Sequence, residues 1–384
     1  MVQLNQNVIN VKPSGLRELF DIANRLNKEG REVISLGIGD LDIETPTPII
    51  KAMKKALEEG KTKYTANNGI SELREAIATK YANEYSLDYD PETEVCVSCG
   101  ALEALFDVAH AVFEPNDEFI TPDPDFSYFT KQASMLGVIE KRIPLDDQFK
   151  LHGDDIRKEI TPKTKLIHIN FPSNPTGSVM SWKEIKEIVD IAAEHNLVLL
   201  SDEAYEKIVY QGHKHTCAAE FGYEKTIVIG SFSKSYAMTG FRLGYVCANA
   251  ELMASIAKVH QLNTACANTA AQWAAVAGLN SPNLTELILE QLTERRRVGL
   301  DGFSSLPGIS IDYKPLGAFY LFPDVSGTGM DGTKFSKFCL EKAGVVVVPG
   351  EEFGKTGRNC VRISYGSAIP ANLQLAINKI GEVL

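Results

Sequence analysis

Short apolar runs alternate along most of the chain with stretches whose apolar residues recur at helical spacing. Residues 33–40, 94–98, 118–120, 165–169, 197–200 and 226–229 read as short strands, each closed by a polar or glycine-rich loop. Between them, residues 16–27 (Leu16, Leu19, Phe20 and Ala23 on one face), 49–60 and 182–195 carry helical patterns. Lys12-Pro13-Ser14-Gly15 reads as a turn after a polar arm. Past Tyr245 the pattern changes to a long helical region from 250 to about 278, and a second from about 283 into Arg295-Arg296-Arg297. Beyond Leu306-Pro307-Gly308 come short strands at 309–313 and 318–322, a helix at 332–343 and a strand at 345–348. Strands alternating with helices predict a mostly parallel sheet buried on both faces. The expected fold is therefore α/β, a large domain flanked by helices plus a smaller α+β domain. The expected division is an arm and part of the small domain in 1–45, the large domain in 46–290 and the rest of the small domain in 291–384.

Chemistry-bearing residues cluster after the strands, where ligands bind in open α/β sheets. The run Thr226-Ile227-Val228-Ile229 feeds into Gly230-Ser231-Phe232-Ser233-Lys234, with Arg242 eight residues after the lysine. A lysine at the end of an apolar strand has the setting in which desolvation lowers an amine pKa and favours Schiff-base chemistry. Ser231, Ser233 and Arg242 supply hydroxyl and guanidinium donors suited to a phosphate. The plainer alternative is a glycine-rich turn with solvated charges. Gly100-Ala101-Leu102 follows the strand at 94–98 and opens a helix, whose free N–H groups and dipole also favour a phosphate. Lysine and phosphate cradle together suggest pyridoxal phosphate.

The 384 residues carry a net charge of −11, which argues against a nucleic-acid or anionic-membrane partner, so any bound anion needs a local concentration of donors. No stretch reaches the length of a membrane span. Seven scattered cysteines, with no secretory leader expected from the first residues, predict a reducing, cytoplasmic setting. Cys96-Val97-Ser98-Cys99 has no second pair and reads as a strand end; His213-Lys214-His215 reads as a solvated loop. No metal site is expected.

The segment 231–245, SFSKSYAMTGFRLGY, resembles the cofactor-lysine segment of the class I/II aminotransferases, fold type I of the pyridoxal-phosphate enzymes. The resemblance runs from about Lys12 to about Ser367 through separate motifs in family order. It implies that Lys234 forms the Schiff base and then moves the substrate proton. Asp202, in Ser201-Asp202-Glu203-Ala204-Tyr205, would pair with the pyridine nitrogen, and Tyr205 would bond the phenolic oxygen. Asn170-Phe171-Pro172-Ser173-Asn174-Pro175-Thr176-Gly177 is similar to the family's N-x-P-x-N-P-T-G, which gives Asn174 to the phenolic oxygen and the substrate carboxylate. Phe126 would stack on the ring; the alternative is a core phenylalanine at a turn. Gly39 would let backbone approach the substrate carboxylate, although Asp40-Leu41-Asp42 replaces the usual acidic-Pro-Asp. Tyr64, in Tyr64-Thr65-Ala66-Asn67-Asn68-Gly69, would reach the phosphate of the other subunit of a homodimer. Arg362 would hold the α-carboxylate, since a guanidinium makes two parallel bonds to it.

The implied activity moves an amino group between an L-amino acid and a 2-oxo acid, with 2-oxoglutarate expected as acceptor. A carbon–sulfur β-lyase on the same apparatus, or a ligand-binding module derived from it, are the alternatives. The aspartate-specific branch holds the distal carboxylate with a second arginine some thirty residues past the lysine, from the partner subunit. Here 259–294 contains neither Arg nor Lys, its matching neighbourhood is 261–269, and Leu16 at the pocket edge is apolar. A buried carboxylate without a cation costs several kcal/mol. The expectation is a preference for neutral or aromatic donors, the alternative being a lysine elsewhere that meets the distal carboxylate.

Overall fold

The apolar runs become strands because each can bury both faces against helices. In the computed structural model, which describes residues 4–11, 16–30, 32–281 and 283–384, with side chains apart from 16–20 and 27, the strands in chain order are β1 Ile34–Ser35, β2 Val95–Ser98, β3 Glu118–Asp123 and β4 Ile139–Pro144. They continue as β5 Thr164–Asn170, β6 Val198–Asp202, β7 Thr226–Ser231, β8 Gly244–Cys247 and β9 Tyr320–Leu321, then β10 Val345–Val346, β11 Val348–Pro349 and β12 Val361–Ser364. The Lys12–Gly15 turn and the Leu16 side chain lie outside the described residues.

A central seven-stranded sheet runs β2-β8-β7-β6-β5-β3-β4. All neighbours in it are parallel except the two pairs made by β8, which runs antiparallel to both β7 and β2. The period of two along each strand splits the core. Leu200 and Ile227 face the helices Ala101–Val112 and Ala250–Thr264, with Leu105, Val108 and Met253. Leu199 and Ile167 face the helix Trp182–Glu194, with Ile185, Ile188 and Val189. Each such aliphatic side chain contributes about 1.5–3 kcal/mol by its burial. Ser181 starts that last helix through a reciprocal cap: its Oγ accepts from Glu184 N at 3.4 Å, and Glu184 accepts from Ser181 N at 2.5 Å.

The remaining strands make two small sheets, β1 with β10 (parallel) and β11-β12-β9 (antiparallel). The helices Leu284–Ser304 and Pro370–Gly381 cover them, closing a core of Leu292, Phe303, Phe319, Leu373 and Ile377. The arrangement is the expected α/β sheet with a smaller α+β part.

Several expected elements differ. The helical region at 250–278 is two helices, Ala250–Thr264 and Thr269–Leu279, because Ala265 adopts φ +64° and Asn268 caps the second through Ala271 N at 2.9 Å. The run 309–313 is no strand; it makes one bridge, Ser310 to Asp324, and the next N–H on that side, of Phe322, donates to the Tyr313 hydroxyl at 2.9 Å instead of to a backbone carbonyl. The strand at 345–348 divides at Val347 between the two small sheets. The helix at 332–343 is α-helical over Gly332–Phe338 and finishes as a π-turn, Cys339–Ala343. His215 is not solvated: it bonds the buried Glu203 at 2.8 Å, whereas His213 is exposed. Residues 1–12 include a short helix, Gln6–Asn10.

Candidate active site

The C-terminal ends of β5, β6 and β7, with the loop after β3, converge on one cavity of about 350 Å³. β8 runs the opposite way, so its start brings Arg242 to the same edge. Gly39, Ala101, Leu102, Phe126, Asn174, Asp202, Tyr205, Ser231, Ser233, Lys234, Arg242 and Arg362 all line it. Of the residues expected at the site, Gly100 sits immediately behind this lining and Tyr64 does not reach it.

Lys234 follows β7 in a single helical turn, Phe232–Ser235, capped by Ser231, whose Oγ accepts from Ser233 N at 3.2 Å. Its amine donates to Gly39 O. Burial, with the Arg362 and Arg242 guanidiniums nearby, outweighs the Asp40 carboxylate and lowers its pKa to about 8. A fraction of the amine is thus neutral near pH 7. Asp202 ends β6 fully enclosed, and burial raises its pKa to about 6 against the opposing effects of His168 and the Ala204 N–H. That N–H donates to Asp202 Oδ1 at 3.2 Å, and among the described residues Asp202 has no ion-pair partner. A buried carboxylate without a cation suits a protonated ring nitrogen.

Gly100 adopts φ +90°, and a Cβ there would lie 2.7 Å from Arg242 Nη2. Glycine is therefore required for the guanidinium to lie against the start of the helix Ala101–Val112. The exposed Arg242 also donates to Thr239 O at 3.0 Å. The guanidinium, the first residues of the helix, Ser231 and Ser233 line the same cavity, a set of donors that could hold a phosphate.

Arg362, on β12, spans the two sheet systems, donating to Asn174 Oδ1 at 2.9 Å and to Gly37 O at 2.7 Å. It lies between the rings of Tyr320 and Phe353, at 4.7 and 4.8 Å. Its Nε has no partner and is buried, so one edge of the fork remains for a carboxylate. Asn174 is held by its own N–H donating to Asn170 Oδ1 at 3.0 Å. Asp42, in the departed acidic motif, pairs with Arg295, which also donates to Gly366 O at 2.8 Å.

Sequence reasoning missed Tyr320. Its hydroxyl bonds Tyr205 Oη at 2.8 Å, and a Cβ on Gly39 would fall 2.6 Å from it. The glycine is thus needed for a side chain of this same subunit as well as for any ligand. Also missed was His260, whose Nδ1 meets Glu103 Oε1 at 2.8 Å and whose Nε2 meets Asn67 O at 2.9 Å. Both partners accept, so both nitrogens donate and the ring is an imidazolium. The neighbouring Glu103 and Asp107 carboxylates overcome desolvation and hold its pKa up to about 10. This ring ties the phosphate-side helix to the loop carrying Tyr64. No sequence pattern joins residues 67, 103 and 260.

The family model "Aminotransferase class I and II" matches residues 31–380. An aspartate aminotransferase of Pyrococcus horikoshii is 39% identical, with 99% of this chain and 96% of that protein covered. Aromatic-amino-acid aminotransferase 2 of Thermococcus litoralis is 37% identical, over 97% and 96% respectively. A solved structure of a double mutant of Thermus thermophilus aspartate aminotransferase superposes with a TM-score of 0.95 at 33% identity, over the whole of both chains.

Proposed function

The chain belongs to the class I and II aminotransferases and is a pyridoxal-phosphate-dependent aminotransferase; on that premise we propose that it moves amino groups between neutral or aromatic L-amino acids and 2-oxoglutarate, with Lys234, Asp202 and Tyr205 as its catalytic residues. The observation that carries this assignment is the meeting of a half-buried amine, a buried unpaired carboxylate and a half-satisfied arginine in one cavity.

The residues fit the cofactor. The Gly100–Arg242 cradle would take its phosphate, Asp202 its ring nitrogen, Tyr205 and Asn174 its phenolic oxygen, and Lys234 its aldehyde carbon. Phe126 would cover the ring, supported by Tyr128, on which it stacks at 4.8 Å. When bound, the group supplies an electron sink for the substrate's α-carbon. Arg362 and Asn174 fix the α-carboxylate, and with it the Cα–H bond that must break. Lys234, freed by the incoming amino group and half neutral at its pKa of about 8, would take that proton from Cα and hand one back on the cofactor side.

The cavity wall is apolar at Leu102, Leu105, Phe126 and Phe353, which favours neutral and aromatic side chains. The names of the relatives include both aspartate and aromatic aminotransferases, so the donor must be measured. kcat/KM for phenylalanine, methionine and alanine with 2-oxoglutarate is expected to equal or exceed that for aspartate. A clear preference for aspartate over all three would end this reading.

We further propose a homodimer in which Tyr64 completes the partner's phosphate site. Tyr64 is 88% exposed, yet its loop is held firmly, by Val97 N donating to Asn68 O at 3.0 Å and Ile70 N to Gln272 Oε1 at 2.8 Å. A fixed loop offering a bare phenol fits a role across an interface. Tyr64→Phe is expected to weaken cofactor binding about tenfold, as one bond to a charged group is worth. A holoenzyme that sediments as an active monomer at low concentration would remove Tyr64 from the site. The proposed division into parts 1–45, 46–290 and 291–384 makes the helix Leu284–Ser304 the connector, since it runs across residue 290. Limited proteolysis checks that division, and a stable fragment cut inside this helix would count against it. No helix among the described residues is long and apolar enough to cross a membrane. The seven free cysteines fit the reducing cytoplasm; fractionation that places the protein outside it would contradict this.

A further inference from the structure

We propose that Lys131 binds the distal carboxylate of a five-carbon dicarboxylic substrate, glutamate or 2-oxoglutarate, and so makes the acceptor half of the reaction possible in a pocket that also takes apolar donors. The inference rests on the reading of the cavity above and names the residue that its acceptor requires.

Four cations line the cavity: Lys234, Arg242, Arg362 and Lys131. The first three have hydrogen-bond partners and proposed roles at the cofactor's aldehyde, the phosphate and the α-carboxylate. The Lys131 side chain has no hydrogen bond or ion pair among the described residues. It lies half-buried on the helix Tyr128–Met135, three residues after Tyr128 and therefore on the same helix face. Tyr128 lies close enough to Arg362 to bear on the ionisation of the guanidinium. Lys131, Tyr128 and Arg362 line the same cavity, so the ammonium is available to the far end of a diacid whose α-carboxylate lies on Arg362.

Lysine suits a pocket with two kinds of guest. Its ammonium on a long flexible stem can turn toward solvent and lay methylenes along an aromatic substrate, which the planar fork of an arginine does less readily.

The test uses holoenzyme with Lys131→Ala and Lys131→Arg. Dissociation constants of two unreactive ligands, glutarate and pentanoate, are measured by calorimetry, alongside kcat/KM for glutamate and phenylalanine. In Lys131→Ala the preference for glutarate over pentanoate is expected to fall at least tenfold, about 1.4 kcal/mol, with a parallel fall in the glutamate-to-phenylalanine ratio. Lys131→Arg is expected to restore most of both. Ratios that stay within twofold of wild type in Lys131→Ala overturn the proposal. If 2-oxoglutarate accepts from no donor at all, the acceptor proposed above fails, while the glutarate titration still decides the place of Lys131.

Discussion

Lys234→Ala is expected to leave a folded protein that has lost transamination by about ten-thousandfold or more, the upper range for removing a positioned acid–base group that is also the covalent anchor. The fold should survive because the turn Phe232–Ser235 is held by the Ser231 cap and by Phe232, which is wholly buried, and neither involves the amine. The side-chain hydrogen bond lost is the one to Gly39 O. With a folded pKa of about 8, below the ordinary lysine value, the amine becomes neutral as pH rises through 8. The rate at which cofactor-free protein takes up pyridoxal phosphate should therefore climb through the same window and level off above it. Borohydride treatment of the holoenzyme, followed by peptide mass mapping, should find the cofactor on the peptide containing Lys234. Near wild-type turnover in Lys234→Ala, or the label on another lysine, would refute the assignment.

The site was legible in the sequence wherever a strand ends. A buried strand cannot carry polar side chains without partners, so Asp202, Asn174 and Ser231 after apolar runs announce themselves. The antiparallel β8 was not legible as such, although its residues were, because Gly244-Tyr245-Val246-Cys247 says nothing of direction. Tyr320 and Phe353 were invisible as site residues because they arrive from the small sheets and bear on Arg362 only after the two parts of the chain pack together. The helix Ser71–Tyr85 was overlooked for a different reason. Its buried face includes Arg74 and Lys80 beside Leu73, Ile77 and Tyr81, which breaks the apolar stripe. Lys80 is tolerated there because it meets the equally buried Glu206 at 2.7 Å, a partner 126 residues away. Residues 259–294 carry neither Arg nor Lys, and nothing in the sequence announces that Lys131 lines the cavity, because it follows Tyr128 on a helix of mixed composition.

Asp202→Asn is expected to separate stability from catalysis. Turnover should fall by two to three orders of magnitude, about what one electrostatic group at the reacting centre contributes, because the amide cannot keep the ring nitrogen protonated. The cofactor-free protein should instead become more stable. The carboxyl is an acid whose folded pKa, about 6, lies above its ordinary value of 3.8. The folded state therefore binds the proton more tightly than the unfolded chain, and the wild type loses stability as pH rises from about 4 through about 6. The full penalty is present above that window. Raising the pKa from 3.8 to about 6 corresponds to about 3 kcal/mol, and the group is enclosed, so solvent screening does not reduce it. Asparagine keeps an oxygen for the Ala204 N–H, at 3.2 Å in the wild type, while removing the charge. Chemical melts of cofactor-free wild type and Asp202→Asn should differ by up to this amount at pH 8 and converge near pH 4. With the cofactor bound the order should reverse, since the carboxylate then has its cation. A variant no more stable than wild type at pH 8 without cofactor would mean that Asp202 is not an unpaired buried charge. It would then have no reason to await a protonated ring.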